Sequence, residues 1–157
     1  MKRDRDVDTA FAEFLELWKK LLADSLVPGT VVVVEGERDR RALRGLGIAG
    51  PIVAVHAGRP LSGTAERLTS QSRRVILLTD WDSEGGRLAH RLKEFLAPEP
   101  LQLDLDYRRR LARTLRGELA HVEGLSGWAR RNADRRKESI EVLLGLGDPT
   151  SPHVPTG

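Results

Sequence analysis

Val75-Ile76-Leu77-Leu78-Thr79-Asp80-Trp81-Asp82-Ser83-Glu84-Gly85-Gly86 decides the fold. An apolar run stops at a threonine, and two aspartates follow with one residue between them. Upstream, Val31-Val32-Val33-Val34 stops in the same way at Glu35, and Gly36-Glu37-Arg38-Asp39 follows. Short apolar runs punctuated like this read as strands of a parallel sheet buried on both faces. Ligands of such sheets gather outside the carboxyl ends of the strands. Two strands thus deliver Glu35, Asp80 and Asp82 to one rim. In extended chain, side chains i and i+2 face the same way, so Asp80 and Asp82 reach one point. Carboxylates placed like this suit a hard divalent cation, Mg²⁺ or Mn²⁺.

Working outward, the spacing of Val7, Phe11, Phe14, Leu15, Trp18, Leu21 and Leu22 predicts an amphipathic helix over 7–22, capped by Asp6 or Asp8. Pro28-Gly29 turns the chain into the first strand. A helix over about 38–46 leads to a second strand, Pro51-Ile52-Val53-Ala54-Val55. A short helix over 65–70 leads to the third strand, 75–79. Leu88, Ala89, Leu92, Phe95 and Leu96 mark a helix that Pro98 and Pro100 end. Leu101 to Asp106 alternates with period two, as a half-buried strand at a sheet edge does. Helices over 108–119 and about 134–146 complete the pattern, and the tail 148–157, rich in Pro, Ser and Thr, is expected to be disordered. Alternating strands and helices predict an α/β fold of three layers. A central, mostly parallel four-stranded sheet would be flanked by helices, with right-handed crossovers. Residues 1–29 form a helix packed on the core, 30–125 the α/β domain, and 126–147 a helical extension.

At 157 residues one domain is the natural expectation. There is no cysteine, which excludes Cys-based zinc sites and fits a reducing cytoplasm. No apolar run approaches a membrane span. Net charge is +3 with a sequence pI near 9.7, and the bases are mostly Arg. The planar guanidinium suits phosphate, although a GC-rich genome gives the same bias.

Glu35 comes from a different strand and is crowded by the other two acids. A carboxylate crowded by others has its pKa raised, so it can hold a proton near neutral pH. Glu84 is a candidate outer ligand. Asp39 reads as a helix cap rather than a site residue. His56, alone at a strand end, reads as a structural residue. Arg38 and Arg87 lie one turn into helices that start at the acidic rim and could donate to phosphate. Arg109, Arg113 and Arg116 form a stripe opposite Leu111, Ala112, Leu115 and Leu119, either a nucleic-acid contact or a solvated helix face. Trp81 could stack a base or pack under its loop. The N-terminal helix could dock a partner or a second copy in a homodimer; covering the open face of the sheet is the stronger reading.

Glu-Gly-x-x-Asp after one strand and Asp-x-Asp-x-x-Gly after a later one resemble the Toprim domain. That domain is shared by type IA and type II topoisomerases, bacterial-type primases, OLD-family nucleases, RecR-type recombination mediators and the 5S rRNA maturase RNase M5. The resemblance covers roughly residues 30–125 and is closest to small stand-alone Toprim proteins. It implies the Toprim (Rossmann-like) fold, a Mg²⁺ site on Asp80 and Asp82, and Glu35 as metal ligand or acid/base. It also implies nucleic acid, RNA or DNA, as the partner. Toprim domains often carry a glycine after the second strand, which Ala57-Gly58 matches loosely. The second acid of the topoisomerase motif is replaced here by Gly86. Topoisomerase chemistry needs a tyrosine nucleophile on further domains, and the single tyrosine is Tyr107 at a strand end. The chain has no polymerase or ATPase motif and no Cys-based zinc site. What remains is a stand-alone Toprim protein, for which the resemblance implies a small metal-dependent nuclease acting on RNA or DNA, with RNase M5-like RNA processing as the nearest analogy. The alternative is a non-catalytic module that binds metal and nucleic acid.

Overall fold

The computed structural model describes residues 2–56 and 58–147. Ala57 and the tail 148–157 lie outside the described residues. Four strands, β1 (Thr30–Val34), β2 (Ile52–Ala54), β3 (Arg74–Leu77) and β4 (Gln102–Asp104), form one sheet in the order β2-β1-β3-β4. Every pairing is parallel, with Val32 opposite both Ile52 and Ile76, and Val75 opposite Leu103. β4 lies at an edge, as its alternation predicts.

Strand side chains alternate between faces, and here both faces are covered. On one face Val32, Val34, Ile76 and Leu78 meet Phe11, Phe14, Trp18 and Leu21 of α1 (Lys2–Ser25). Leu43 of α2 (Glu37–Gly45), Leu111 of α5 (Asp106–Thr114) and Trp128 of α6 (Leu125–Arg135) complete that layer. On the other face Val31, Val33, Val75 and Leu77 meet Leu68 of α3 (Leu61–Gln71) and Leu92 and Leu96 of α4 (Ser83–Leu96). This is the expected three-layer α/β fold. α1 covers the sheet, and Phe11 and Phe14 pack edge-on against Trp128 at centroid distances of 5.7 and 5.3 Å. Trp18 donates from Nε1 to the Leu46 carbonyl at 2.9 Å, which satisfies its one polar atom inside the core.

The order of strands positions the site. After β1 the chain passes through α2 to β2 on one side, while β3 sits on the other side of β1 and leads into α4 on the opposite face. The loops after β1 and β3 therefore diverge. The crevice between them is the topological switch point of the sheet, where ligands of open α/β folds bind.

Three local expectations are corrected. α1 begins at Lys2, so Asp6 and Asp8 lie inside it and cap nothing. α5 stops at Thr114, and Gly117 takes φ +85°, so Arg116 and Leu119 lie on a turn beyond the helix. The helix expected over 134–146 shrinks to α7 (Ile140–Leu143); residues 134 and 135 are instead the end of α6, and Lys137 adopts φ 56° between the two. α6 was not expected, although the helical spacing of Leu125, Trp128, Ala129 and Ala133, all buried, is a signal for it.

Candidate metal centre

The Asp-x-Asp loop is held from several directions. Asp82 is the N-cap of α4, and its Oδ1 accepts from the Gly85 N–H at 2.7 Å. The buried Thr79 hydroxyl donates to the Gly85 carbonyl at 2.9 Å. Gly85 must be glycine: a Cβ there would stand 1.9 Å from the Asp80 carbonyl oxygen and 2.9 Å from Glu35 Oε1. Its absence lets the first turn of α4 press against the loop.

Each acid is fixed by a backbone amide through one oxygen. Glu35 Oε1 accepts from the Asp80 N–H at 3.0 Å, which ties the end of β1 to the loop after β3. Asp80 Oδ1 accepts from the Val122 N–H at 2.7 Å. Asp82 Oδ2 lies 3.2 Å from His121 Nε2. Asp80, Asp82 and His121 offer ligand atoms within 4.8 Å of one another. Glu35 stands beside this group through the Asp80 amide. Glu84 is exposed on the first turn of α4 and outside the group.

The electrostatics follow from crowding. Burial, then the charge of Asp80, pushes the Glu35 carboxyl above its ordinary range, against the lowering bond from the Asp80 N–H. Burial also raises Asp80, with Asp39 and Asp82 adding to it, while the Val122 N–H and His121 oppose. Asp39 is buried and raised chiefly by that burial; its Oδ2 accepts from the Gly36 N–H at 3.0 Å, the capping role its position predicts. Facing these acids is Arg108. Its Nη2 donates to the Asp80 carbonyl at 2.7 Å and its Nε to that of Thr79 at 3.2 Å. Burial lowers its pKa, and Glu35, Asp82 and Asp80 oppose that.

Sequence reasoning missed Arg108 and His121. A signal existed for Arg108: it shares the helical face of Leu111 and Leu115, both fully buried, so it is an arginine at an inward position. His121 carried none, because it lies on a loop before the 3₁₀ turn Val122–Gly124. Trp81 packs under the loop: its Nε1 donates to the Leu119 carbonyl at 2.6 Å and its backbone N–H to that of Ala120 at 3.1 Å. Arg38 and Arg87 are exposed on the helices that leave the rim. Arg109 and Arg113 are exposed between α1 and α5, in a groove they share with Glu13, Glu16 and Asp106. His56 donates its backbone N–H to the Glu35 carbonyl at 2.8 Å, and its side chain is exposed. Tyr107 is buried and bonded through its hydroxyl to Asp24 Oδ2, no place for a nucleophile.

The donor set fits a divalent ion. The oxygens are hard, and the amide bonds pre-orient Asp80 and Asp82. Six-coordinate bonds of about 2.1 Å put neighbouring ligand atoms about 3 Å apart, close to the separation of Asp82 from His121.

A parallel sheet with paired acids at its switch point defines the class, and the chain belongs to the Toprim domain family, whose model matches residues 30–114. Toprim domains bind divalent metals, and membership gives this chain a metal-binding, nucleic-acid-related function. The chain is 36% identical over 117 residues to the "UPF0292 protein" of Thermococcus gammatolerans, covering 74% of this chain and 84% of that one. It is 38% identical over 100 residues to the "UPF0292 protein" of Archaeoglobus fulgidus, covering 64% and 77%. A solved structure, "putative protein from Aquifex aeolicus", matches with a TM-score of 0.59 at 28% identity over 69% of this chain and 94% of that one. Among the described residues no helix is long and apolar enough to cross a membrane.

Proposed function

We propose that the chain is a Mg²⁺- or Mn²⁺-dependent phosphodiesterase, a small nuclease that hydrolyses RNA or DNA, with RNase M5-like processing as its nearest analogy. One observation carries this reading. Glu35 and Asp80 each commit one oxygen to a backbone amide and leave the other for a cation or a proton, at the point of the sheet where ligands bind. Asp80 and Asp82 would hold the ion, with His121 and Glu35 beside them. When bound, the ion supplies charge neutralisation at the phosphodiester and lowers the pKa of a coordinated water.

The chain's own residues do the rest. Hydrolysis breaks one P–O bond, and the leaving oxygen needs a proton while the attacking water loses one. Glu35, pushed up by burial and by Asp80, is the group suited to hold and deliver that proton. Arg108 fixes the carbonyls of Thr79 and Asp80 and so positions the loop. Its half-buried guanidinium also places a positive charge beside Glu35, Asp82 and Asp80. The exposed Arg38 and Arg87 are proposed to hold the phosphates either side of the scissile one.

The test is cleavage of end-labelled RNA and DNA in Mg²⁺, in Mn²⁺ and in EDTA. Cleavage that needs metal and disappears in Asp80→Asn/Asp82→Asn supports the proposal. Metal-dependent binding without cleavage would make the chain a non-catalytic module.

A further inference from the structure

β2 is an edge strand. Val55 N–H donates to Val34 and Val32 N–H to Pro51, so the odd-numbered residues of β2 face β1. Ile52 and Ala54 therefore turn their backbone groups outward, away from the sheet. Along this edge run two adjoining clefts of about 110 and 400 Å³, which share Ile52, Val53, Thr64 and Arg67. Arg40 and Arg59 complete one and Arg44 the other. Four arginines line the combined groove and no carboxylate does. The groove between α1 and α5 differs: there Glu13, Glu16 and Asp106 offset the bases.

Two of the four arginines are occupied. Arg44 donates to the Ile48 and Gly50 carbonyls at 2.9 and 2.7 Å, and Arg40 pairs with Glu37 at 2.9 Å. Even so, the buried Nε of Arg40 has no hydrogen-bond partner. Among the described residues Arg59 and Arg67 make no ion pair, and both are exposed. A groove of one sign with apolar walls focuses its field outward and concentrates anions. Its upper end lies at the carboxyl rim, since Arg59 follows β2 there. β2 itself lies two strand spacings, about 10 Å, from β3, whose carboxyl end leads into the loop that carries Asp80.

We infer that this arginine-lined groove along the open edge of β2 binds the phosphate backbone of the nucleic acid, holding the strand as it leaves the metal centre. The inference rests on the proposed nuclease reading and names where its substrate lies. Arg59 and Arg67 supply the phosphate contacts, and the outward N–H groups of Ile52 and Ala54 can add donors of the kind that position a backbone. An acidic peptide would meet the same charge. The position beside the metal centre favours nucleic acid.

The test uses the full chain in Ca²⁺, with labelled single-stranded and duplex oligonucleotides titrated across a salt series. Arg59→Gln/Arg67→Gln removes two exposed side chains and should leave the circular dichroism unchanged. If each makes one phosphate contact, the slope of log affinity against log salt becomes shallower by about 1.4 on single strands or about 1.8 on duplex. Arg109→Gln/Arg113→Gln should change it less. An unchanged slope and affinity in the first variant overturns the inference while leaving the nuclease reading intact. So does poly-glutamate that competes as well as nucleic acid of equal charge. No binding by the wild type overturns it too. A changed slope without any cleavage by the wild type would remove the nuclease reading and keep the groove.

Discussion

Gly85→Ala puts the close packing of the candidate metal centre to a direct test. Two opposed terms act. Alanine is favoured over glycine inside a helix by about 1 kcal/mol. Against this, the new Cβ would fall 1.9 Å from the Asp80 carbonyl oxygen and 2.6 Å from its carbon, both backbone atoms. Overpacking costs typically 1–3 kcal/mol when side chains can shift, and here the backbone itself must move, so the upper end applies. The net loss is about 2 kcal/mol or more. At about 2–4 °C per kcal/mol for a chain of this size, Tm should fall by roughly 4–8 °C. The neighbour is the control. A Cβ on Gly86 meets only Arg108 Nη2 at 3.7 Å, an ordinary contact, so Gly86→Ala should be neutral or stabilising by up to about 1 kcal/mol. Thermal and urea unfolding of both variants in EDTA measures the difference. Because the displaced loop carries Asp80 and Asp82, Gly85→Ala should also weaken Mn²⁺ binding. Equal stability of the two variants would refute the reasoning.

Three further outcomes follow from the same geometry. Asp80→Asn keeps an acceptor for the Val122 N–H and removes a repelled charge, so its Tm in EDTA should match or exceed the wild type. Asp80→Ala strands that amide and should cost about 1–3 kcal/mol, and equal losses in both would show that the charge itself is structural. Glu35, Asp39 and Asp80 have folded pKa values above their unfolded ones, so ionisation penalises the folded state above the folded pKa. The penalty is relieved as pH falls through the raised folded values toward the ordinary carboxylate range near 4, so without metal Tm should rise as the pH is lowered over that interval. Calorimetry in EDTA that shows a falling Tm over that interval would contradict this. His121 adds an imidazole to two carboxylates, a donor better suited to Mn²⁺ than to Mg²⁺. Titration calorimetry of His121→Gln should show a larger loss of Mn²⁺ than of Mg²⁺ affinity, and equal losses would leave His121 a mere neighbour of Asp82.

The strands and the acids at their ends were legible because a buried parallel strand writes a continuous apolar run that stops where the rim begins. Val31–Val34 and Val75–Leu78 are all buried, and each hands over to a half-buried acid within two residues. The helix facing the core from the N-terminus was legible from its aromatic spacing, although its polar first turns hid its start. What stayed hidden was built by tertiary contact. Asp39 looked like a cap and is one, but only the fold shows it buried beside Glu35 and Asp80. Arg108 broke an apolar face, a readable signal that the basic cluster Arg108-Arg109-Arg110 obscured. His121 lies on a loop, where no periodicity says which way a side chain turns. The arginines of the β2 edge are scattered from Arg40 to Arg67, and no local pattern joins them.

The bonds from Asp80 to Val122 and from Trp81 to Leu119 and Ala120 span about forty positions, and they end beyond residue 114, where the family match stops. A portable version of this domain cut at the family boundary would keep every acid yet lose the floor on which two of them rest. The smallest transplantable unit is therefore longer than the segment that matches the family. It must carry the segment through the 3₁₀ turn Val122–Gly124, and the residues that later anchor that turn, before its proposed metal ligands stand in register.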